Sequence, residues 1–148
     1  MKRILFDTNI ILDVLLDRKP WAETSAAVWS LVESGACEGL LAAHAVTTIH
    51  HLLRKDAGNA AAKRILSSIL RVFRIAAVDN AVLVEALELP FPDFEDAVTA
   101  TAARTAKCDY ILTRDPKGFR ASLIHPFTPE ALIPLFKKNP EHAPPMRN

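Results

Sequence analysis

Along this chain, short apolar runs alternate with longer stretches in which apolar residues return every three to four positions. The short runs, Arg3 to Phe6, Gly39 to Ala43, Phe73 to Val78, Tyr110 to Thr113 and Leu123 to Phe127, predict strands, because each is brief and apolar on successive positions. The longer ones, Trp21 to Ser34, Val46 to Lys55, Ala60 to Arg71, Asn80 to Glu88 and Phe94 to Ala106, predict helices. A strand that is apolar throughout is covered on both faces, so the alternation predicts an α/β fold in which helices enclose a parallel sheet. The Ala-rich stretch "AVTATAARTA", Ala97 to Ala106, suits a helix packed close against that sheet. From Lys137 the pattern stops: "KKNPEHAPPMRN" carries three prolines and few apolar residues. One domain over residues 1–136 and a Pro-rich tail over 137–148 are therefore expected, the tail loose or draped on the surface.

Composition narrows the class. At 148 residues and 50% hydrophobic, the chain suits one compact core. A formal charge of +1 gives no global basic field, so any nucleic-acid contact must come from a local patch. Cys37 and Cys108 are too few and too far apart for a disulfide framework or a zinc knuckle, which favours a reducing, cytoplasmic setting. No signal segment or long apolar span is evident, and no membrane association is expected.

The candidate chemistry is acidic. In open α/β sheets, ligands bind outside the carboxyl ends of the strands. Asp7, in "RILFDTNIILD", ends the first strand, and Asp115, in "YILTRDPKGF", follows the fourth, so both face one rim. Asp93 and Asp96, in "PFPDFEDAV", open the helix that feeds the fourth strand. Asp93 also suits an N-cap with Asp96 at N3, Asp115 suits a turn, and Thr8 or Asn9 suits a cap of the first helix. Two carboxylates about 4 Å apart repel by roughly 4 kcal/mol at an effective dielectric near 20, so a convergent set needs a cation. Oxygen ligands and water suit Mg²⁺ or Mn²⁺, which activate water against a phosphodiester. Arg114, Lys117 and Arg120 flank Asp115 and suit a phosphate-contact surface, whereas Arg54, Lys55, Lys63, Arg64, Arg71 and Arg74 read as a solvated helix face. Few aromatic residues accompany these charges, so no base-stacking platform is indicated. His44, His50 and His51 are better read as helix surface than as ligands, since adjacent helical positions point about 100° apart.

The ordered set "LFDTNIILD", "DFEDAVTATAA", "YILTRDPKGF" and "TPEAL" resembles the PIN domain, especially VapC-type toxin ribonucleases of toxin–antitoxin pairs, over residues 2–136. The resemblance implies a three-layer α/β/α sandwich with a five-stranded parallel sheet and a Mg²⁺- or Mn²⁺-dependent site that hydrolyses RNA. It implies metal-binding roles for Asp7, Asp96 and Asp115, supporting roles for Asn9 and Thr113, and an extra catalytic acid in Asp93. The family's usual glutamate after the second strand is missing from "AVTTIHHLLRK", where Thr48 or His50 takes its place according to register. An RNA substrate, a cognate antitoxin and a possible homodimer follow from the same resemblance, with Trp21 and Trp29 as candidates for a partner face or for core packing. The alternative is a PIN-like scaffold that binds RNA or protein without turnover. A receiver domain fits poorly, because no lysine lies in "LIHPFTPEAL", and four glycines at these spacings exclude a phosphate-cradling loop.

Overall fold

The computed structural model of the chain describes residues 1–138. Five strands, β1 (Arg3–Phe6), β2 (Glu38–Ala42), β3 (Arg74–Ala76), β4 (Tyr110–Leu112) and β5 (His125–Phe127), form one sheet in the order β3-β2-β1-β4-β5. Every pairing is parallel. From β1 the chain first builds outward through β2 and β3, then returns to place β4 on the other side. The two halves part between β1 and β4, the switch point where such sheets open a crevice at their carboxyl edge.

The strands sort their residues by the two-residue period. Ile4 and Phe6 of β1, Leu41 of β2 and Leu112 of β4 face one core layer. This layer is completed by α1 (Thr8–Leu15), α2 (Ala22–Glu33), α3 (Ala43–Ala57), α4 (Asn59–Val72) and α7 (Pro129–Lys138). Leu5, Leu40, Ala42 and Ile111 face the other layer, against α5 (Asn80–Glu88) and α6 (Phe94–Thr105). Since each strand is covered on both faces, its apolar residues run without interruption, as the sequence pattern required. The Ala-rich segment of α6 is buried from Ala97 to Ala103, and its small side chains let the helix lie close to the sheet.

Beyond small shifts of element ends, such as β5 beginning at His125 and not at Leu123, two elements differ from the sequence expectation. The third strand is confined to Arg74–Ala76, because Phe73 caps α4, its N–H donating to the Ile69 carbonyl at 2.8 Å. The Phe73 ring instead fills the space over Gly39, where a Cβ would lie 2.7 Å from it, and meets Phe6 and Trp29 edge-on at 5.0 and 5.3 Å. Trp29 is thus a core residue, whereas Trp21 is 38% exposed. The second difference is α7, which carries the chain through Lys138, so the remainder of the expected tail, 139–148, lies outside the described residues. Cys37 and Cys108 are buried free thiols. Among the described residues, no helix is long and apolar enough to cross a membrane.

Candidate active site

Asp7 follows the last residue of β1 and stays in the sheet's ladder, its N–H donating to the Leu112 carbonyl of β4 at 2.9 Å. It occupies the N-cap position of α1 yet makes no side-chain cap hydrogen bond. Its Oδ2 instead accepts from the Thr113 hydroxyl at 3.0 Å, and the same Thr113 oxygen accepts from the Asp115 N–H at 3.1 Å. Thr113 is buried, so this short relay fixes both acids against one another across β1 and β4.

The third element is the start of α6. Asp93 is its N-cap, with Oδ1 accepting from the Asp96 N–H at 2.9 Å, so the capping expectation holds. The cap orients the first turn, and Asp96 then meets Asp115 over Gly118, in the 3₁₀ turn Pro116–Phe119. A Cβ built at Gly118 would lie 3.2 Å from Oδ2 of Asp115 and equally close to Oδ2 of Asp96. The two carboxylates therefore lie within twice that distance of each other. Asp7, Asp93, Glu95, Asp96 and Asp115 all line one cleft of about 370 Å³, together with Thr8, Asn9, Leu12, Arg18, Thr48, Leu52, Thr113 and Phe119.

Crowded negative charge alters the acids. Burial pushes the Asp96 carboxyl up to about 7, and Asp7, Asp93, Glu95 and Asp115 add to that shift. Burial also raises Asp7, against the opposing pull of the Thr113 hydroxyl and the Thr8 N–H. Five carboxylates form a set of hard oxygen donors, the class that takes Mg²⁺ or Mn²⁺. Among the described residues, no group of three or more carboxylate, imidazole or thiolate side chains is arranged to hold a metal ion. Mg²⁺ does not require one, since it is commonly held by one or two carboxylates with water and phosphate oxygens completing its shell. By donor chemistry, the residues present fit such an ion.

The remaining expected residues divide. Thr48 lines the cleft from α3 in step with Leu52, four residues on, whereas His50, two residues from Thr48, falls on another face. Of the two positions that the resemblance left open, Thr48 is the one that lines the cleft. His44 Nε2 lies 3.4 Å from Thr99 Oγ1 and 4.0 Å from Glu95 Oε1, and burial lowers its pKa, with Glu95 acting against this. Asn9 is exposed, and its Oδ1 accepts a long hydrogen bond from Arg18 Nη1 at 3.4 Å. Lys117 and Arg120 are exposed on and after the 3₁₀ turn and do not line the cleft. Arg114 does not line it either: its Nε lies 2.9 Å from Oδ2 of the buried Asp13, and its guanidinium lies 4.0 Å from the centre of the Trp21 ring. Three lining or flanking residues escaped the sequence reading. Glu95 was signalled by its place between Asp93 and Asp96, but nothing in the hydrophobic period marks Arg18 or Gly118.

Residues 3–117 match the family model of the PIN domain. The chain belongs to the PIN domain family. No curated protein matches it significantly. Solved structures resemble this PIN domain in fold. The FitAB complex bound to a DNA fragment gives a TM-score of 0.68 at 24% identity, covering 85% of this chain and 94% of that one. A toxin–antitoxin complex from Klebsiella pneumoniae gives 0.65 at 18%, covering 85% and 97%. The sarcin–ricin-loop-cleaving toxin VapC20 of Mycobacterium tuberculosis gives 0.58 at 17%, covering 73% and 86%. At these identities the likeness establishes the fold, the three-layer sandwich with its five-stranded parallel sheet.

Proposed function

We propose that this PIN domain is a divalent-metal-dependent endoribonuclease, the toxin of a toxin–antitoxin pair acting in the cytoplasm. The observation that carries the reading is that Asp7, Asp96 and Asp115, from three separate elements, line one cleft at the switch point of the sheet. On this reading Asp7, Asp96 and Asp115 hold Mg²⁺ or Mn²⁺, with Asp93 and Glu95 adding negative charge beside them. The bound ion supplies activation of water and stabilisation of the departing oxygen of a phosphodiester. Thr113 keeps Asp7 and Asp115 in register, and Gly118 leaves the space that brings Asp96 and Asp115 together. Lys117 and Arg120, exposed beside Asp115, serve as outer contacts for the RNA backbone, while Arg114, paired to Asp13, serves the scaffold. One structure of similar fold is a toxin–antitoxin complex, which supports a protein partner for this chain; on this reading the partner covers the cleft.

The test is Mn²⁺- or Mg²⁺-dependent cleavage of a labelled RNA by the wild type and by Asp7→Asn, with metal binding followed by calorimetry. Loss of cleavage in the variant, with its fold intact, is expected; equal cleavage by both proteins would sink the reading. Thr48 in the cleft favours one second reading, a scaffold that binds RNA or a partner without turnover. It predicts RNA or partner binding in a wild type that never cleaves, and any cleavage dependent on the acids would exclude it.

A further inference from the structure

RNA approaching this cleft meets five carboxylates, and a polyanion will not cross such a rim unless a cation receives it. Among the residues lining the cleft, Arg18 is the one that carries a positive side chain. Its position is built into the turn between α1 and α2: its N–H donates to the Asp13 carbonyl at 2.9 Å, and its own carbonyl accepts from the Ala22 N–H at 2.8 Å. The guanidinium, 34% exposed, reaches Asn9 Oδ1 at 3.4 Å and Asp13 Oδ1 at 3.7 Å.

Asp13 has a second claimant. Its side chain is 0% exposed, and Arg114 Nε approaches the other carboxylate oxygen at 2.9 Å while stacking on Trp21. One carboxylate balances one guanidinium. Arg114, with the shorter ion-pair contact and the aromatic face, carries the larger share of that balance, and Arg18 the smaller. Arg18 is left with two contacts longer than a good charge-assisted hydrogen bond and with most of its fork unsaturated at the edge of the cleft. The planar fork of an arginine suits a phosphate, which it can grip with two parallel N–H groups.

We propose that Arg18 is a substrate-contacting residue of this cleft, its guanidinium taking a backbone phosphate of the RNA beside the acids, with Asp13 and Arg114 fixing it at the rim. The inference rests on the ribonuclease reading of the same cleft. A purely structural Arg18 would serve as a second counter-ion for Asp13, and its loss would change stability but not RNA affinity.

The experiment is a fluorescence-anisotropy titration of a short, fluorescein-labelled single-stranded RNA of mixed sequence, in the full-length Asp7→Asn background, with Arg18 intact or replaced. Arg18→Met should weaken binding about tenfold and flatten the log–log salt slope by about 0.7, the value for one phosphate contact on a single strand. Arg18→Lys should recover the slope but only part of the affinity, because an ammonium contacts phosphate as a point charge. Should Arg18→Met melt earlier than its parent, Arg18→Gln, which keeps a polar end without the charge, carries the same expectation. Equal affinity and slope with and without Arg18, including absence of binding in both, would overturn the proposal. A wild type without metal-dependent cleavage would overturn the ribonuclease reading instead, since the binding comparison needs no turnover.

Discussion

The Thr113 hydroxyl donates to Asp7 Oδ2 at 3.0 Å, tying together two residues separated by 106 positions in sequence at the carboxyl ends of neighbouring strands. The contact is possible because β1 and β4 pair in parallel with Phe6 opposite Leu112, so the next residue of each strand leaves the sheet at the same level. Thr113 also accepts from the Asp115 N–H, and one buried hydroxyl thereby positions two of the three acids.

Thr113→Val keeps the shape and removes that hydroxyl. A buried carboxylate loses its donor and the Asp115 N–H loses its acceptor, a change that costs about 1–3 kcal/mol. Urea unfolding should show this loss, and RNA cleavage should fall further than stability alone explains. Thr113→Ser, which retains the hydroxyl, should recover most of both. Equal behaviour of the valine and serine variants would mean that the relay does not position the acids.

Asp96 gives a pH dependence with a definite sign. Its carboxyl is raised from 3.8 to about 7, so the folded protein holds a proton that the unfolded chain has already released. The stability linked to that proton is fully present below the unfolded value and is lost as pH rises through the folded one. With chelator present, the melting temperature should therefore fall between about pH 4 and about pH 7, and Asp7, also raised, contributes in the same direction. Asp96→Asn should flatten the profile and melt above the wild type at the alkaline end. A wild-type profile that rises with pH over this window would contradict the assignment.

The sequence made the frame of the site legible because each acid sits where a periodic pattern ends. Asp7 closes an apolar run, Asp115 follows another, and Asp93 precedes a helix, so position along the chain already implied position at the rim. What it could not show was the direction of side chains in irregular segments. Arg114 and Arg18 both stand near acids in sequence, yet it is Arg18 that lines the cleft, while Arg114 turns to Asp13, a carboxylate that the helical pattern of α1 gave no reason to single out. Phe73 likewise reads as the start of a strand, and only its cap hydrogen bond to Ile69, with its ring packed over Gly39, explains why the strand begins one residue later.

Gly118 makes the approach of Asp96 and Asp115 testable. In Gly118→Ala the new methyl would lie 3.2 Å from both Oδ2 atoms, so the carboxylates must give by a few tenths of an ångström. Because Asp115 is exposed, the melting temperature should change little. Mn²⁺ affinity by calorimetry and kcat/KM for RNA should each fall about tenfold, equivalent to roughly 1.4 kcal/mol. An alanine variant with wild-type metal affinity would show that Asp96 and Asp115 need not meet over this residue.

Thr48 bears on whether the site is complete. It lines the cleft from the helix where a PIN domain usually carries a glutamate, and a hydroxyl there supplies neither charge nor a strong ligand for a hard cation. Thr48→Glu adds a carboxylate to a cleft that already holds five, so without metal the variant should melt below the wild type through like-charge repulsion. With Mn²⁺ the order should reverse, since the added ligand is expected to tighten metal binding about tenfold and metal bound only by the folded state stabilises it. RNA cleavage should rise with metal occupancy and converge on the wild-type rate at saturating Mn²⁺ if Thr48 limits only affinity. A rate that stays higher at saturation would instead place the missing carboxylate in the chemical step, and an unchanged metal affinity would mean that α3 contributes no ligand here at all.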